Sequence, residues 1–132
     1  MSNRASILDA SAILALLNAE PGAEEVQEVI ATSAASAVNL AEVVGKLADY
    51  GMTERTIQKA LRIGLDTLPF GPNELKLMPQ LRRGTKRHGL SLGDRCCLAT
   101  AMTHNRPAMT ADRAWAKITI PGLKITVIGE RR

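Results

Sequence analysis

The chain has 132 residues and a formal charge of +4, from 17 Lys and Arg against 13 Asp and Glu; that length fits one domain able to bury roughly two-thirds of its unfolded-chain surface. With 45% hydrophobic residues and Phe70, Tyr50 and Trp115 as its only aromatics, the core must come from Leu, Ile, Val, Ala and Met, and a stacking platform for single-stranded bases is disfavoured. No apolar run approaches the roughly 18 residues of a membrane span, Asp9 interrupts the one stretch that resembles a secretory leader, and the adjacent Cys96 and Cys97 lack disulfide-framework or zinc spacing, so a reduced, cytoplasmic protein with no membrane association is expected.

Ser6-Ile7-Leu8-Asp9-Ala10-Ser11 is the predicted first strand and the stretch around which the rest is organised. It delivers an aspartate just before a helical pattern begins at Ala12, Ile13, Leu16 and Leu17. The spacing predicts a short helix over 12–17, a turn over 18–22 and a helix over 23–30, then a second strand over 34–38 leading into a helix over 39–50. Thr53 caps a helix over 53–63, and 67–70 is the third strand, placed at a sheet edge by Pro69. Pro72 opens a helix that continues to Leu81 with a kink or break near Pro79. The basic run Arg82-Arg83-Gly84-Thr85-Lys86-Arg87-His88-Gly89 follows, and Ser91 caps a helix over 92–104. Residues 106–110 make the fourth strand, ending in Ala111-Asp112; 113–117 make one or two helical turns, and 123–128 the fifth strand. Strands separated by helices imply an α/β fold: one parallel sheet with right-handed crossovers, flanked by helices, in a single domain over 1–132.

In such a sheet, helix N-termini and strand C-termini share one edge, and four acids fall on it. Asp9 and Asp112 end strands one and four; Glu42 and Asp94 lie in the first turns of the helices starting near Asn39 and Ser91. In the order 3-2-1-4-5, strands one and four are neighbours and the gap between them is the switch point where ligands bind. Four gathered carboxylates repel one another unless cations balance them, and all-oxygen ligation favours Mg²⁺ or Mn²⁺. Such ions polarise a phosphodiester and activate a bound water, so metal-assisted phosphodiester hydrolysis is the sharpest reading. With four acids in one pocket, the remaining surface carries about +8 by charge counting, suited to a polyanion.

Structural readings stand beside these. Asn39-x-x-Glu42 and Ser91-x-x-Asp94 both have capping-box spacing, and Asp112 has the placement of a helix cap. Ser11 reads equally as a cap or as a partner of the acids. Arg82, Arg83, Lys86 and Arg87 are candidate phosphate contacts or a solvated charge run; Arg95 and Arg113 are candidate phosphate contacts or balance the pocket. The turn Asp9-Ala10-Ser11-Ala12 lacks the glycines of a dinucleotide site, and Ser11 stands where an acylphosphate-forming hydrolase would carry a second aspartate.

Taken together, Ile7-Leu8-Asp9-Ala10-Ser11-Ala12, Asn39-Leu40-Ala41-Glu42-Val43, Leu90-Ser91-Leu92-Gly93-Asp94-Arg95-Cys96-Cys97-Leu98-Ala99 and Thr110-Ala111-Asp112-Arg113-Ala114-Trp115 resemble the PIN-domain ribonucleases, and within them the VapC toxins of bacterial type II toxin-antitoxin pairs. The resemblance covers essentially the whole chain. It implies a PIN domain, with Asp9, Glu42, Asp94 and Asp112 as the acidic quartet that holds Mg²⁺ or Mn²⁺ and Ser11 as the family's Ser or Thr. It further implies an endoribonuclease acting on structured RNA such as tRNA or rRNA, a toxin homodimer, and a cognate VapB-type antitoxin whose tail blocks the pocket. Two other readings remain open: a catalytically silent RNA-binding module on the same fold, and a housekeeping PIN nuclease of RNA processing or DNA repair.

Overall fold

The structure is a computed structural model that describes residues 5–129; the expected domain's ends, 1–4 and 130–132, lie outside the described residues. Its centre is β1 (Ile7–Leu8), a strand too short to alternate more than once, yet with both side chains fully buried. β2 (Ala34–Ser36) and β4 (Ala108–Thr110) pair with it in parallel on either side, β3 (Asp66–Leu68) and β5 (Ile125–Val127) complete the edges, and the order β3-β2-β1-β4-β5 is the expected one.

Period-two alternation splits the core into two layers. Leu8, Ala35 and Met109 face one cluster with Ile13, Val26, Val43 and Leu47. These come from α1 (Ala10–Leu17), α2 (Ala23–Val29) and α3 (Ala37–Asp49), and α4 (Glu54–Ala60) closes the layer with Ile57. The neighbouring positions Ile7, Ala34 and Ala108 face the opposite cluster with Leu81, Leu98 and Trp115. That side is covered by α5 (Pro72–Leu75), α6 (Met78–Thr85) and α7 (Leu92–Thr103). Each large aliphatic chain fully buried this way contributes roughly 1.5–3 kcal/mol, so the strands need only a few residues; the helices supply most of the apolar area. No described helix is long and apolar enough to cross a membrane.

The strands are shorter than the sequence expectation, β3 ending at Leu68 so that Pro69 lies just outside it, β4 starting at Ala108 and β5 at Ile125, and α4 ends at Ala60; two boundaries at the site shift through a cap. The first strand ends at Leu8 and the helix starts at Ala10, because the Asp9 carboxylate accepts from the Ala12 amide at 2.9 Å and stops the strand there. Ala10 and Ser11 are therefore helical. Likewise α3 starts at Ala37, capped by Ser36, whose Oγ accepts from the Val38 amide at 3.1 Å. Asn39 is thus inside the helix and Glu42 in its second turn, so the expected Asn39–Glu42 capping box does not form. The break expected near Pro79 falls between α5 and α6. The basic run finishes α6 and continues as a 3₁₀ turn, Lys86–His88, just before the Ser91 cap of α7. A second 3₁₀ turn, Arg113–Lys117, follows β4. Gly22 and Gly129 have φ of +99° and +78°, and they let the α1–α2 turn lie on the exit of β5: a Cβ at Gly129 would meet the Pro21 carbonyl oxygen at 2.7 Å.

Candidate active site

The C-terminal edge of the sheet is formed by the exits of β1 and β4 and the first turns of α1, α3 and α7. Asp9 sits at the β1 exit and is only 3% exposed. Its Oδ1 accepts from the Ala12 amide at 2.9 Å and from Ser11 Oγ at 2.8 Å, and its Oδ2 accepts from Thr110 Oγ1 at 2.6 Å. Burial pushes its pKa up from 3.8 to about 6 against the pull of these donors, and the Asp94 charge adds to the rise. Among the described residues no Lys or Arg pairs with it; the one ion pair joins His104 to Glu74, at 4.0 Å, away from this edge.

Ser11, the second residue of α1, donates to Asp9 and accepts from the Ala111 amide at 2.9 Å, tying the β1 exit to the β4 exit. Thr110 does the same from the other strand: fully buried, it donates to Asp9 and accepts from the Asp112 amide at 3.0 Å. Sequence reasoning assigned Thr110 no role. Its signal was a hydroxyl at a fully buried strand terminus two residues before an acid.

The other three acids each do a local structural task as well. Asp94, half-buried, forms the predicted capping box of α7: its Oδ2 accepts from the Ser91 amide at 3.0 Å while its own amide donates to Ser91 Oγ at 3.2 Å. Asp112 is exposed and caps the following 3₁₀ turn, accepting from the Ala114 amide at 2.9 Å. Glu42 is exposed on α3, and its Oε1 accepts from Asn39 Nδ2 at 2.9 Å. The same Asn39 amide donates to the Gly93 carbonyl at 3.0 Å, joining α3 to α7. Asn39 is buried, and its Oδ1 has no partner.

Asp9, Glu42 and Asp94 gather around the first two turns of α7. The buried Cys97 thiol registers all three: burial first, then the charges of Asp9, Asp94 and Glu42, hold its pKa well above the ordinary range. Asp112 belongs to the same edge through Thr110. The expected meeting of all four in one pocket is nonetheless only partial, since no three described His, Cys, Asp or Glu side chains come close enough together to hold a metal ion. Asp9 is fixed by four hydrogen bonds, whereas Glu42, Asp94 and Asp112 are on side chains at least partly open to solvent. In the chemistry of its donors the edge fits a hard divalent cation: carboxylates, hydroxyls, an unpartnered buried amide oxygen and no basic side chain bonded to them.

The basic candidates divide. Arg82, Arg83, Lys86 and Arg87 are exposed and lead directly to the start of α7. Arg113 is exposed beside Asp112 and lines a cavity of about 410 Å³ with Glu20, Pro21 and Ile128. Arg95 is not on the surface where a phosphate contact was expected: it is 7% exposed, and its guanidinium donates to the Leu90 carbonyl at 2.7 Å, bracing the loop before α7. The two cysteines are both free and buried, as expected.

A family model of the PIN domain matches residues 6–121. No curated protein matches the sequence. Among solved structures, the chain is similar to VapBC2 from Rickettsia felis bound to a DNA fragment from their promoter, with 20% identity and a TM-score of 0.71 over 93% of this chain and 98% of that one. It is similar to DNA-bound VapBC from Salmonella typhimurium, with 18% identity and a TM-score of 0.72 over 94% and 98% of the two chains. A toxin-antitoxin complex from Klebsiella pneumoniae matches at 23% identity and a TM-score of 0.70, over 90% and 95%. These identities establish a shared fold; with the family match across the acid-bearing edge, they place the chain in the PIN domain family.

Proposed function

We propose that this PIN domain is a metal-dependent endoribonuclease of the VapC type, the toxin of a toxin-antitoxin pair, cleaving structured RNA such as tRNA or rRNA by attack of an activated water on a phosphodiester. The observation that carries the reading is Asp9: a carboxylate 3% exposed at the tip of the central strand, its pKa raised to about 6 by burial with the Asp94 charge adding to the rise, and no basic partner among the described residues. Such a group is rarely buried without compensation.

Asp9, Glu42, Asp94 and Asp112 are the residues that would hold Mg²⁺ or Mn²⁺; the ion's chemistry there is to lower the pKa of a bound water and to stabilise charge on the leaving oxygen. Asp9 acts as the fixed member, oriented by Ser11 and Thr110. Glu42 and Asp94 approach it from α3 and α7. Arg82, Arg83, Lys86, Arg87 and Arg113 attract the RNA backbone toward an edge that by itself repels it. The VapBC likeness supports a cognate VapB-type antitoxin as partner; the same proposal takes the toxin as a cytoplasmic homodimer.

The test is incubation of the purified protein with total RNA in Mg²⁺ or Mn²⁺, against EDTA and Asp94→Asn. Asparagine keeps an acceptor for the Ser91 amide, so this variant retains the α7 cap while removing a charge. Discrete fragments that require both metal and Asp94 are expected. Intact RNA throughout, from folded protein that binds Mn²⁺, would mean that the substrate is not among these RNAs or that the module is catalytically silent.

A further inference from the structure

Glu42 is the most exposed of the three acids around α7, yet two features hold its carboxylate in one place. Asn39, one turn earlier on α3, donates from its single Nδ2 both to Glu42 Oε1 at 2.9 Å and to the Gly93 carbonyl at 3.0 Å. Beneath the carboxylate lies Gly93, the residue before Asp94. Its backbone conformation is one any residue adopts, so conformational freedom does not explain the glycine. Space does: a Cβ at Gly93 would overlap both Glu42 carboxylate oxygens and the Glu42 Cδ.

We infer that Asn39 and Gly93 form a clamp that sets Glu42 against the first turn of α7, so that Glu42 and Asp94 act on one divalent cation; they are positioning residues, and this rests on the metal-dependent reading above. The clamp works from both sides. Asn39 directs the carboxylate across the α3–α7 interface, and the missing Cβ lets it settle against Gly93, the residue before Asp94. The remaining Asn39 atom, Oδ1, is buried and without a partner, so the amide's two bonds from Nδ2 are the ones that fix its place. Groups that orient metal ligands in this way typically change affinity 10–100-fold when removed.

The clamp makes an unusual demand on Gly93→Ala. Alanine favours a helix more than glycine does, and the group it displaces is the movable end of a side chain. The full-length Gly93→Ala protein should therefore melt at or above the wild-type temperature in EDTA while binding Mn²⁺ at least tenfold more weakly in a calorimetric titration with the metal alone. Asn39→Ala and Glu42→Gln should each weaken Mn²⁺ binding comparably, and adding Gly93→Ala to Glu42→Gln should cause no further loss, since both act through one carboxylate. Wild-type Mn²⁺ affinity in Gly93→Ala, or a loss that adds to that of Glu42→Gln, would overturn the clamp while leaving the nuclease reading intact. A wild-type protein that takes up no Mn²⁺ would overturn both.

Discussion

Replacing Asp9 with asparagine separates the two consequences of burying that carboxylate. The side chain is 3% exposed and its pKa is raised from 3.8 to about 6. At about 1.4 kcal/mol per unit, the ionised form costs the folded state about 3 kcal/mol. A carboxyl whose folded pKa lies above its unfolded value contributes stability that is fully present below pH 3.8 and is lost as pH rises through about 6. Asparagine keeps the acceptor for the Ala12 amide and carries no charge at any pH. The stability of Asp9→Asn relative to wild type should therefore improve by about 3 kcal/mol between pH 3.5 and pH 8, roughly 10 °C in melting temperature for a domain of this size. The assay is paired thermal and urea melts across that range in EDTA. Adding Mg²⁺ or Mn²⁺ at pH 8 should then stabilise wild type, by about 2.7 kcal/mol at a hundredfold excess over Kd, and leave Asp9→Asn unmoved and inactive. A stability difference that does not vary with pH would refute the account of Asp9 as a buried, unneutralised charge; an equal response of both proteins to metal would refute its role as the fixed member of the site.

Neutralising Arg82, Arg83, Lys86 and Arg87 together should leave the melting temperature within a degree or two, because all four are exposed and without ion pairs among the described residues. RNA binding should weaken, with the slope of log affinity against log salt falling by about one for each phosphate no longer engaged; filter binding over a salt series measures it. Ser91→Ala removes the α7 cap and should cost about 1 kcal/mol in urea denaturation. Trp115→Ala should cost about 3–5 kcal/mol, whereas Trp115→Phe should cost far less than that: the indole is fully buried and its Nε1 has no partner to lose.

The sheet order and the elements that carry the acids were legible because the signals were redundant. The central strands are short apolar runs, the helix carrying Asp94 and the turn after Asp112 have their own caps, and Pro69 pointed to the sheet edge where β3 lies. What could not be read was which of several eligible residues caps a helix. Ser36 and Asn39 are both good caps three residues apart, and the choice depended on β2 ending in Ser36 beside β3. That choice freed Asn39 to bind Glu42 and Gly93. The inward turn of Arg95 was hidden for a similar reason. A charge next to an acid suggests a shared pocket, but successive helical positions point about 100° apart, and Arg95 turns inward to Leu90. Thr110 went unassigned because the hydrogen bond that gives it a role comes from a residue at the far end of the sequence.

That distance sets the order in which the site comes into being on the ribosome. β1 is the middle of the sheet, and of its two partners β2 follows soon after it in the chain while β4 follows only after most of the helices. Asp9 and Thr110 are 101 residues apart, so at about 5–20 residues per second the aspartate waits roughly 5–20 s for the hydroxyl that orients it. Over that interval the nascent chain carries Asp9, and later Glu42 and Asp94, without the strand that organises them. A domain whose central aspartate is oriented by a hydroxyl 101 residues later cannot complete that corner of its site until the strand carrying the hydroxyl has been made and docked.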